Sequence, residues 1–299
     1  MLIVRRRHFL AALVLAQSSL AAAADLNPSP PSPLLPAPVT AKAAVAEPDW
    51  VVTIGGEIRA DPAWPGAPTT LYMPGGYPLF NIRKPGEPPF FFGARDGFGV
   101  PFYGSGRVEI GPVGAINWPR YSSQYAQLRG LGDVGWGVEL GVYAQYWPVS
   151  WLRIRGELRQ GIGSETGQSA NLYIDAVMPV EQFRFSGGPR FTAQTTAALS
   201  PYFSITPAQA VASGGFGFPP LTPYNVSGGF YSIGGGGQVE YFFNRQWQVH
   251  AIFEYERLTG SAANSPLVTM RGSPNQYTFG AGATYSFTMH PLFHLTTLF

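Results

Sequence analysis

The sequence contains no cysteine and only four histidines among its 299 residues. The absence of cysteine excludes a disulfide scaffold and any thiolate metal or redox site. Charged residues make up 12% of the chain, about half of the share that is usual in a soluble domain. This low charge content disfavours an ordinary soluble enzyme.

Long hydrophobic runs are also missing. No stretch of 18 consecutive apolar residues follows residue 24, so the sequence offers no candidate for a transmembrane helix. Within the hydrocarbon layer every backbone polar group needs an internal partner, and only helices and closed barrels provide one. If this chain lies in a membrane, it must therefore cross as a closed β-barrel.

The charges of the two signs nearly cancel. Three of the 19 basic residues, Arg5, Arg6 and Arg7, precede an apparent cleavage site, which leaves 16 basic residues against 17 acidic ones. A nucleic-acid-binding surface needs a basic patch or stripe. The sequence therefore predicts no nucleic-acid partner.

Residues 1–24 have the pattern of a secretory signal peptide, with a basic start, an apolar run from Phe9 to Ala16 and cleavage after Ala23 or Ala24. The pair Arg6–Arg7 also resembles a twin-arginine export signal. That route suits folded cargo, whereas a barrel travels unfolded, so the ordinary secretory route is favoured. Residues 25–49 are rich in Pro and Ala and are predicted to form an extended periplasmic lead-in.

The clearest strand pattern is the segment from Gln276 to Phe287. Aromatic and small apolar residues alternate there with Thr, Gly and Ser, and a strand sends successive side chains to opposite faces. The length is close to the ~9–11 tilted residues that cross a bilayer. Aromatic residues near both ends match the girdles of outer-membrane barrels. A single strand of a soluble β-sandwich would show the same alternation. The choice between a barrel and a sandwich therefore depends on whether the pattern recurs along the chain.

The alternation recurs along the chain from Trp50 onward. The clearest hairpin joins segments 134–147 and 152–159, and the second segment carries charges at every odd position: Arg153, Arg155, Glu157 and Arg159. An arginine that faces lipid at the midplane costs about 2–4 kcal/mol, so these charges must face an interior. On all the predicted strands no charge falls on the apolar face, which favours a barrel over a two-sheet sandwich.

The spacing between strands predicts the topology. Short turns at 148–150, 179–182 and 244–246 alternate with long links at 118–133, 162–170, 194–228 and 258–275. This alternation is typical of short periplasmic turns and longer outer loops. In the longest link, Thr206 and Gln209 form a capping-box pattern with Pro207 at the first helical position, which predicts a helix of about two turns that stops near Gly214.

With both chain ends periplasmic, segment 134–147 must be an even-numbered strand with five strands before it. The candidates for these five are 50–60, 76–83, 89–95, 97–103 and 105–117. The predicted fold class is all-β: a closed antiparallel transmembrane β-barrel of about 12 strands over residues 50–287, with ten strands as the alternative count. Residues 288–299 are predicted to be a C-terminal extension, because Pro291 breaks a continuous strand.

Strand parity turns sixteen titratable residues toward the predicted lumen. They are Glu57, Arg59, Arg107, Glu109, Glu139, Arg153, Arg155, Glu157, Arg159, Asp175, Arg184, Arg190, Glu240, His250, Glu254 and Glu256. Nearly balanced signs predict ion pairs across the lumen that close the interior, since an unpaired buried charge is costly. The alternative is a narrow solute path, although no ring of one sign marks a selectivity filter.

Catalytic and ligand-binding motifs are scarce. His250 is the only histidine on a predicted strand, a hydrolase would need Ser186, Ser232 or Ser286 within reach of it, and no GxSxG elbow occurs. His290 lies four residues before His294, but Pro291 intervenes and no third ligand is evident. We therefore assign no catalytic residue, no cofactor and no metal. A barrel hydrolase is kept as the least favoured hypothesis.

Several segments resemble one known family. They include Leu128–Asp133 (LRGLGD), Leu158–Gly161 (LRQG), Tyr202–Ala210 (YFSITPAQA), and Ser265–Val268 (SPLV), which leads on to Arg271–Ser273 (RGS). In order and over about Trp50 to Phe287, the chain is similar to the MipA/OmpV family of outer-membrane proteins. The resemblance implies a barrel in the outer membrane of a Gram-negative bacterium, in contact with its lipid.

The resemblance also implies a role, since some members interact with a membrane-bound lytic transglycosylase and a murein synthase as a scaffold for cell-wall enzymes. It implies no catalytic residues. One departure is the C-terminus, because Phe287 matches the usual aromatic end of such barrels but twelve residues follow it. Phe287 and Phe299 are therefore alternative candidates for the aromatic residue that the barrel-assembly machinery recognises.

Overall fold

The structure, a computed structural model, describes residues 50–83, 93, 96–164 and 166–289. The predicted signal peptide (1–24), the lead-in (25–49) and all but the first two residues of the C-terminal extension lie outside the described residues. Within the described part of the chain, no helix has both the length and the apolar character needed to cross a membrane.

Twelve strands form a single antiparallel sheet. Ten are 10–15 residues long, and the other two, β3 and β4, are short. The strands are β1 (Trp50–Pro62), β2 (Tyr72–Arg83), β3 (Phe98–Gly99), β4 (Tyr103–Ser105), β5 (Val108–Asn117), β6 (Gly137–Val149), β7 (Leu152–Gly163), β8 (Gln168–Val180), β9 (Phe183–Gln194), β10 (Gly229–Phe242), β11 (Trp247–Leu258) and β12 (Asn275–Met289).

The first strand pairs with the last, which is what curls the sheet into a barrel. Trp50 lies opposite Met289, and the ladder continues to Ala60 opposite Phe279. The remaining seam lies between β2 and β3, which run in the same direction, so antiparallel closure needs one more crossing between them. Residues 84–92 and 94–95 of that connection lie outside the described residues. The predicted all-β antiparallel barrel is confirmed as a nearly closed barrel.

The weakest part of the strand prediction was the region before β5. The predicted strand 89–95 falls almost wholly outside the described residues. The predicted strand 97–103 is two short pieces, because β3 pairs with one end of β5 and β4 with the other. The link predicted at 162–170 is only four residues long, since Gly163 adopts a φ of +101° and allows a tight turn from β7 into β8.

Burial in the barrel is the inverse of that in a soluble protein. The buried positions on the strands are mostly charged or amide-bearing, and Arg153 and Asp175 are both 0% exposed. Large apolar residues face outward, with Ile58 72% exposed and Leu158 63% exposed. Because lipid, rather than water, covers such an outer face, this distribution is the one that a membrane barrel requires.

The two ends of the barrel differ. One end, here called the turn end, carries the chain reversals at 106–107, 150–151, 181–182 and 243–246. The opposite end, here called the cap end, carries the longer connections 63–71, 118–136, 195–228 and 259–274. Short turns are periplasmic and long loops are outer in such barrels, so the turn end is the periplasmic end.

Four short helices lie at the cap end: α1 (Thr196–Phe203), α2 (Pro207–Ala212), α3 (Gly260–Ala263) and α4 (Pro266–Arg271). The predicted capping box of α2 is confirmed. The backbone N–H of Gln209 donates to Thr206 Oγ1 at 3.2 Å, and the N–H of Thr206 donates to Gln209 Oε1 at 2.9 Å. No pattern in the sequence predicted α1, which contains Pro201 and has no side-chain cap bond.

The cap has its own apolar core, outside the barrel wall. Two clusters of buried side chains pack there, one around Trp64, Leu128 and Leu267, the other around Leu199, Phe203 and Val268. The contributing residues come from all four long connections, so these connections fold together as one layer over the outer mouth.

Candidate functional site

The residues predicted to face the lumen are mostly buried in the structure. The buried ones are Glu57, Glu139, Arg153, Arg155, Glu157, Asp175, Arg184, Arg190, Glu240, His250, Glu254 and Glu256. Arg59, Glu109 and Arg159 are half-buried. Arg107 is the exception, because β5 begins at Val108, which leaves Arg107 exposed in the turn between β4 and β5.

One group of ion pairs surrounds Arg153. Its Nη1 lies 2.9 Å from Asp175 Oδ2, its Nε donates to Gln145 Oε1 at 2.8 Å, and its Nη2 donates to Asp96. Asp175 also binds Arg190 at 2.6 Å. Strands β6, β7, β8 and β9 are therefore tied together inside the lumen as well as through their backbone ladders.

A second group lies beside the first, around Arg155 and Glu157. The Nε of Arg155 lies 2.7 Å from Glu157 Oε1, and its guanidinium stacks 3.9 Å from the centre of the Tyr143 ring. Tyr143 in turn donates its hydroxyl hydrogen to Glu109 at 2.5 Å. The Nε of Arg159 lies 3.2 Å from Glu139 Oε2.

The other side of the lumen is held by Glu240 and Glu57. Arg184 donates through two nitrogens to Glu240, with its Nη2 2.5 Å from Oε1. The Nε2 of His250 lies 2.7 Å from Glu57 Oε2, and Arg59 also binds Glu57. These pairs satisfy charges that would be costly if they were left alone.

Inward glycines make room for these side chains. A Cβ at Gly236 would lie 2.5 Å from Glu254 Oε1, and a Cβ at Gly282 would lie 2.5 Å from the Cε1 of His250. The run Gly234–Gly237 lies within β10. Because it lies within a strand and no helix follows it, it serves close packing and forms no phosphate loop.

Gly93, Asp96 and Gly97 supply a lumen component that the sequence did not predict, here called the plug. Asp96 binds Arg153, and the backbone N–H of Gly97 donates to Glu157 at 3.2 Å. A Cβ at Gly97 would lie 2.5 Å from Val113 Cγ2, so only glycine fits against the wall. The plug therefore lies inside the lumen, bound to charged side chains of β7. Its contacts join segments about 60 residues apart, so no local pattern could reveal them.

Between the plug and the cap lies a cavity of about 340 Å³, here called the outer cavity. Asp96 and Gly97 line its floor, strands on several sides form its wall, and Trp64, Arg120 and Tyr202 belong to its roof. Its wall mixes aromatic rings with amides and charges.

Two buried arginines hold the cap together through backbone carbonyl groups. Arg120 donates to the carbonyl oxygens of Pro201 and Tyr202, both at 3.2 Å. Arg271 donates to three carbonyl oxygens, including that of Ser213 at 2.9 Å. Burial lowers the pKa of Arg120 to about 10 and also lowers the pKa of Arg271.

The segments that carry the family resemblance lie mainly in the cap. Gln209 donates to the carbonyl of Leu131 at 2.5 Å, and Ser265 donates to the carbonyl of Phe203 at 2.8 Å. Asp133 accepts hydrogen bonds from both the N–H and the hydroxyl of Ser122, which lower its pKa. The motifs therefore specify how the cap folds, whereas the lumen pairs come from strand parity.

Catalytic geometry is not apparent among the described residues. The hydrogen bond of His250 is with Glu57, while Ser286 bonds Thr53 and Ser232 bonds Glu256. In the same part of the chain, no group of three or more His, Asp or Glu residues is arranged to hold a metal ion.

Comparison with known proteins places the chain in a family. The sequence profile described as MltA-interacting protein MipA matches residues 54–287. No curated protein matches by sequence at a significant level.

Several solved outer-membrane structures resemble the fold. The COG4313 outer membrane channel from Pseudomonas putida F1 is 8% identical, with 83% of this chain and 100% of that chain covered and a TM-score of 0.37. Outer-membrane expressed OmpT of Vibrio cholerae is 10% identical, with 80% and 97% covered and a TM-score of 0.32. OprG from Pseudomonas aeruginosa is 10% identical, with 81% and 97% covered and a TM-score of 0.23. Likeness at this level carries no argument about function.

The family match extends over most of the barrel, from the middle of β1 almost to the end of β12. It contains all the cap segments that carry the resemblance. The chain belongs to the family of the MltA-interacting protein MipA and is a β-barrel protein of the Gram-negative outer membrane.

Proposed function

We propose that this protein is a non-catalytic anchor in the outer membrane for peptidoglycan-remodelling enzymes, such as a lytic transglycosylase and a murein synthase. The observation that carries the proposal is the filling of the lumen by ion pairs. The plug and the ion pairs around Arg153, Arg155 and Glu57 occupy the interior with charges that bind one another. A barrel filled in this way offers its rims, rather than a pore, for function, and the family is named for interaction with MltA.

The turn end is the surface that a periplasmic enzyme would meet. Exposed side chains there include Arg107, Trp151, Glu181 and Arg245. Mixed charges around an exposed aromatic ring are common at protein interfaces, where Trp and Arg carry much of the binding energy.

Capture of partners in intact cells tests this proposal. The full-length protein is crosslinked in its membrane and recovered in detergent, and a transglycosylase or synthase is expected among the products identified by mass spectrometry. Charge reversal at the turn end, Arg107→Glu with Arg245→Glu, should reduce the capture. Arg129→Glu is the matched control, since Arg129 is an exposed arginine at the cap end.

Two results would overturn the anchor proposal. One is repeated failure to recover any peptidoglycan enzyme with the unmodified protein. The other is equal capture by the turn-end variant and by the Arg129→Glu control. In either case the periplasmic rim would not be a docking surface.

A transport channel for small solutes is the second candidate, and the outer cavity is the observation that favours it. A solute that enters from outside would reach Asp96 and Gly97 at the floor. Stable unitary conductance of the unmodified protein in planar bilayers, altered by neutralising Arg153 and Arg155, would support a channel. Electrical silence would support the closed lumen.

A further inference from the structure

The outer cavity has the dimensions of a binding site for a small molecule. Its volume of about 340 Å³ lies near the lower end of the ~300–1,000 Å³ that is typical of small-ligand pockets. Such pockets combine aromatic walls with a few placed polar groups, and this cavity has both. The anchor function makes no use of it, so its lining can be considered separately.

Three arginines line the outer cavity, and only two of them have an acidic partner. Arg59 binds Glu57, and Arg159 binds Glu139. For Arg120, no carboxylate of residues 50–83, 93, 96–164 or 166–289 lies within ion-pair distance. A guanidinium that lines a cavity without an acid beside it can bind an anion with two parallel hydrogen bonds.

Arg120 is held in place by hydrogen bonds to neutral carbonyl groups, and Asp133 acts on its charge from beyond ion-pair distance. The carbonyl groups of Pro201 and Tyr202, at the end of α1, accept from its two terminal nitrogens at 3.2 Å. Carbonyl dipoles offset only part of a full charge. Its Nε is buried and has no hydrogen-bond partner among the described residues, and the residue as a whole is only 5% exposed.

The other unpartnered polar atoms of the lining residues point to the same chemistry. Asn171 accepts from the hydroxyl of Thr192 at 3.0 Å through its Oδ1, while its buried Nδ2 has no described partner. The indole nitrogen of Trp64 is likewise buried without a described partner. All of these atoms are donors, so a ligand that completes the site must bring acceptors.

Aromatic rings stand beside the donors. Tyr202 lies under the guanidinium of Arg120, with 5.6 Å between Cζ and the ring centre. Trp118, two residues before Arg120, packs edge-on against Tyr77 with ring centres 6.1 Å apart. Each of these rings lines the cavity. A flat ring on the ligand would stack on such a wall.

We propose that the outer cavity binds a small ring-bearing carboxylate, with Arg120 as the residue that holds the carboxylate and Asn171 as a second donor. The site is separate from the periplasmic anchor surface, so either can fail without the other.

Four acids also line the cavity, and each already has a partner. Asp96 binds Arg153, and Glu139 binds Arg159. Asp61 already accepts from Tyr77 at 2.6 Å and from Thr278 at 3.1 Å, and Glu256 accepts from Ser232 at 2.5 Å. Asp61 and Glu256 belong to β1 and β11, whereas Arg120 lies in the β5–β6 connection.

Binding of three matched probes tests the proposal on the full-length protein in detergent, by titration calorimetry. Benzoate carries the ring and the carboxylate, benzamide is its neutral analogue, and benzamidine is its cationic analogue. Benzoate should bind, and each analogue should bind at least about 30-fold more weakly, the factor expected when a buried charge pair is lost. No binding by benzoate, or benzamide binding as tightly, would overturn the assignment.

Variants separate the roles of charge and folding. Arg120→Gln should weaken benzoate binding about 30-fold or more. Arg271→Gln is the control, because Arg271 is also buried and bound to cap carbonyls but does not line the cavity. An equal loss in both variants would mean that only the folding of the cap matters and would overturn the proposal.

A second variant covers the case in which Arg120→Gln fails to assemble. Asn171→Leu alters the barrel wall rather than the cap and removes one donor, so benzoate binding should fall about tenfold. Unchanged binding in Asn171→Leu would remove that residue from the site and overturn the proposed geometry.

Discussion

Arg153 and Asp175 lie directly opposite each other on β7 and β8, with Nη1 and Oδ2 2.9 Å apart and neither side chain exposed. The pair shows how the barrel interior is built: neighbouring strands present opposite charges in register. Because Asp175 also binds Arg190, one carboxylate serves two cations. Removal of this carboxylate is therefore the most sensitive test of the lumen network.

Asp175→Asn should lower the free energy of unfolding by about 3 kcal/mol, since Arg153 and Arg190 each lose one of their two carboxylate partners inside the barrel. Heat- or urea-induced unfolding, followed by the gel mobility of the folded barrel in detergent, measures the change. Arg257→Gln is the control, because Arg257 is exposed and such surface changes stay within about 0.5 kcal/mol. Equal stability of the two variants would contradict a structural role for the lumen pairs.

Leu158→Arg should lower barrel stability by about 2–4 kcal/mol, the cost of an arginine in lipid near the midplane. Leu158 is 63% exposed near the centre of β7, opposite Val142 on β6. Val211→Arg is the matched control, since Val211 is 80% exposed on α2 in the cap. Refolding into lipid vesicles measures both. A tolerated arginine at position 158 would mean that this face does not contact lipid.

Gly130→Ala should disorder the cap more than Gly132→Ala does. Both glycines have positive φ values, +82° and +80°, and a left-handed non-glycine residue costs about 1–2 kcal/mol. At Gly130 the added Cβ would also lie 2.3 Å from the carbonyl oxygen of Ala212, whereas at Gly132 the nearest atom, Gln209 Nε2, is 3.9 Å away.

Protease cleavage within residues 118–136 and 195–228 of the folded barrel measures this difference. The barrel itself should keep its gel mobility in both variants, since neither glycine lies on a strand. Equal protection of the cap in the two variants would contradict the close approach of Gly130 to α2.

Acid should loosen the 118–136 connection through Asp133. Hydrogen bonds from the N–H and hydroxyl of Ser122 lower the pKa of this carboxyl below its usual value. A carboxyl group whose pKa is lower in the folded state stabilises the fold fully at a pH above its unfolded pKa, about 3.9. This stabilisation is lost as the pH falls through the lower pKa of the folded state. Hydrogen exchange of the Ser122 amide, relative to that of Gln124, should therefore accelerate on acidification below about pH 4.

Asp133→Asn is the control for this pH effect. Its amide oxygen still accepts from Ser122, but it does not titrate in this range. The variant should therefore lose the pH dependence of Ser122 exchange. Retained pH dependence would show that another group controls the connection.

Strand parity could be predicted from the sequence because it is a local property of an extended backbone. The assignments of Glu57, Arg153 and Glu240 to the interior needed only the period of two and the cost of charge in lipid. The capping box of α2 is equally local, since Thr206 and Gln209 are three residues apart. Arg107 was misassigned because it lies in the turn before β5. Alternation along a strand does not show at which residue the strand begins.

The plug, helix α1 and the unpaired charge of Arg120 could not be predicted in this way. Asp96 meets Arg153 across 57 positions of sequence, and Arg120 meets Pro201 across 81. Each residue taken alone resembles an ordinary loop charge. Only the three-dimensional arrangement shows that Asp96 enters the lumen and that Arg120, at the roof of a cavity, has no ion pair among the described residues.

The sequence by itself determined that the chain crosses a bilayer as a barrel with lipid outside and charges inside. The reason is that the alternation of side chains along a strand depends only on consecutive residues. The tertiary structure alone decided that the lumen is plugged, that the outer connections fold into a cap with its own core, and that a cavity remains between them. Those features arise from contacts between distant segments, whose geometry no short stretch of sequence contains.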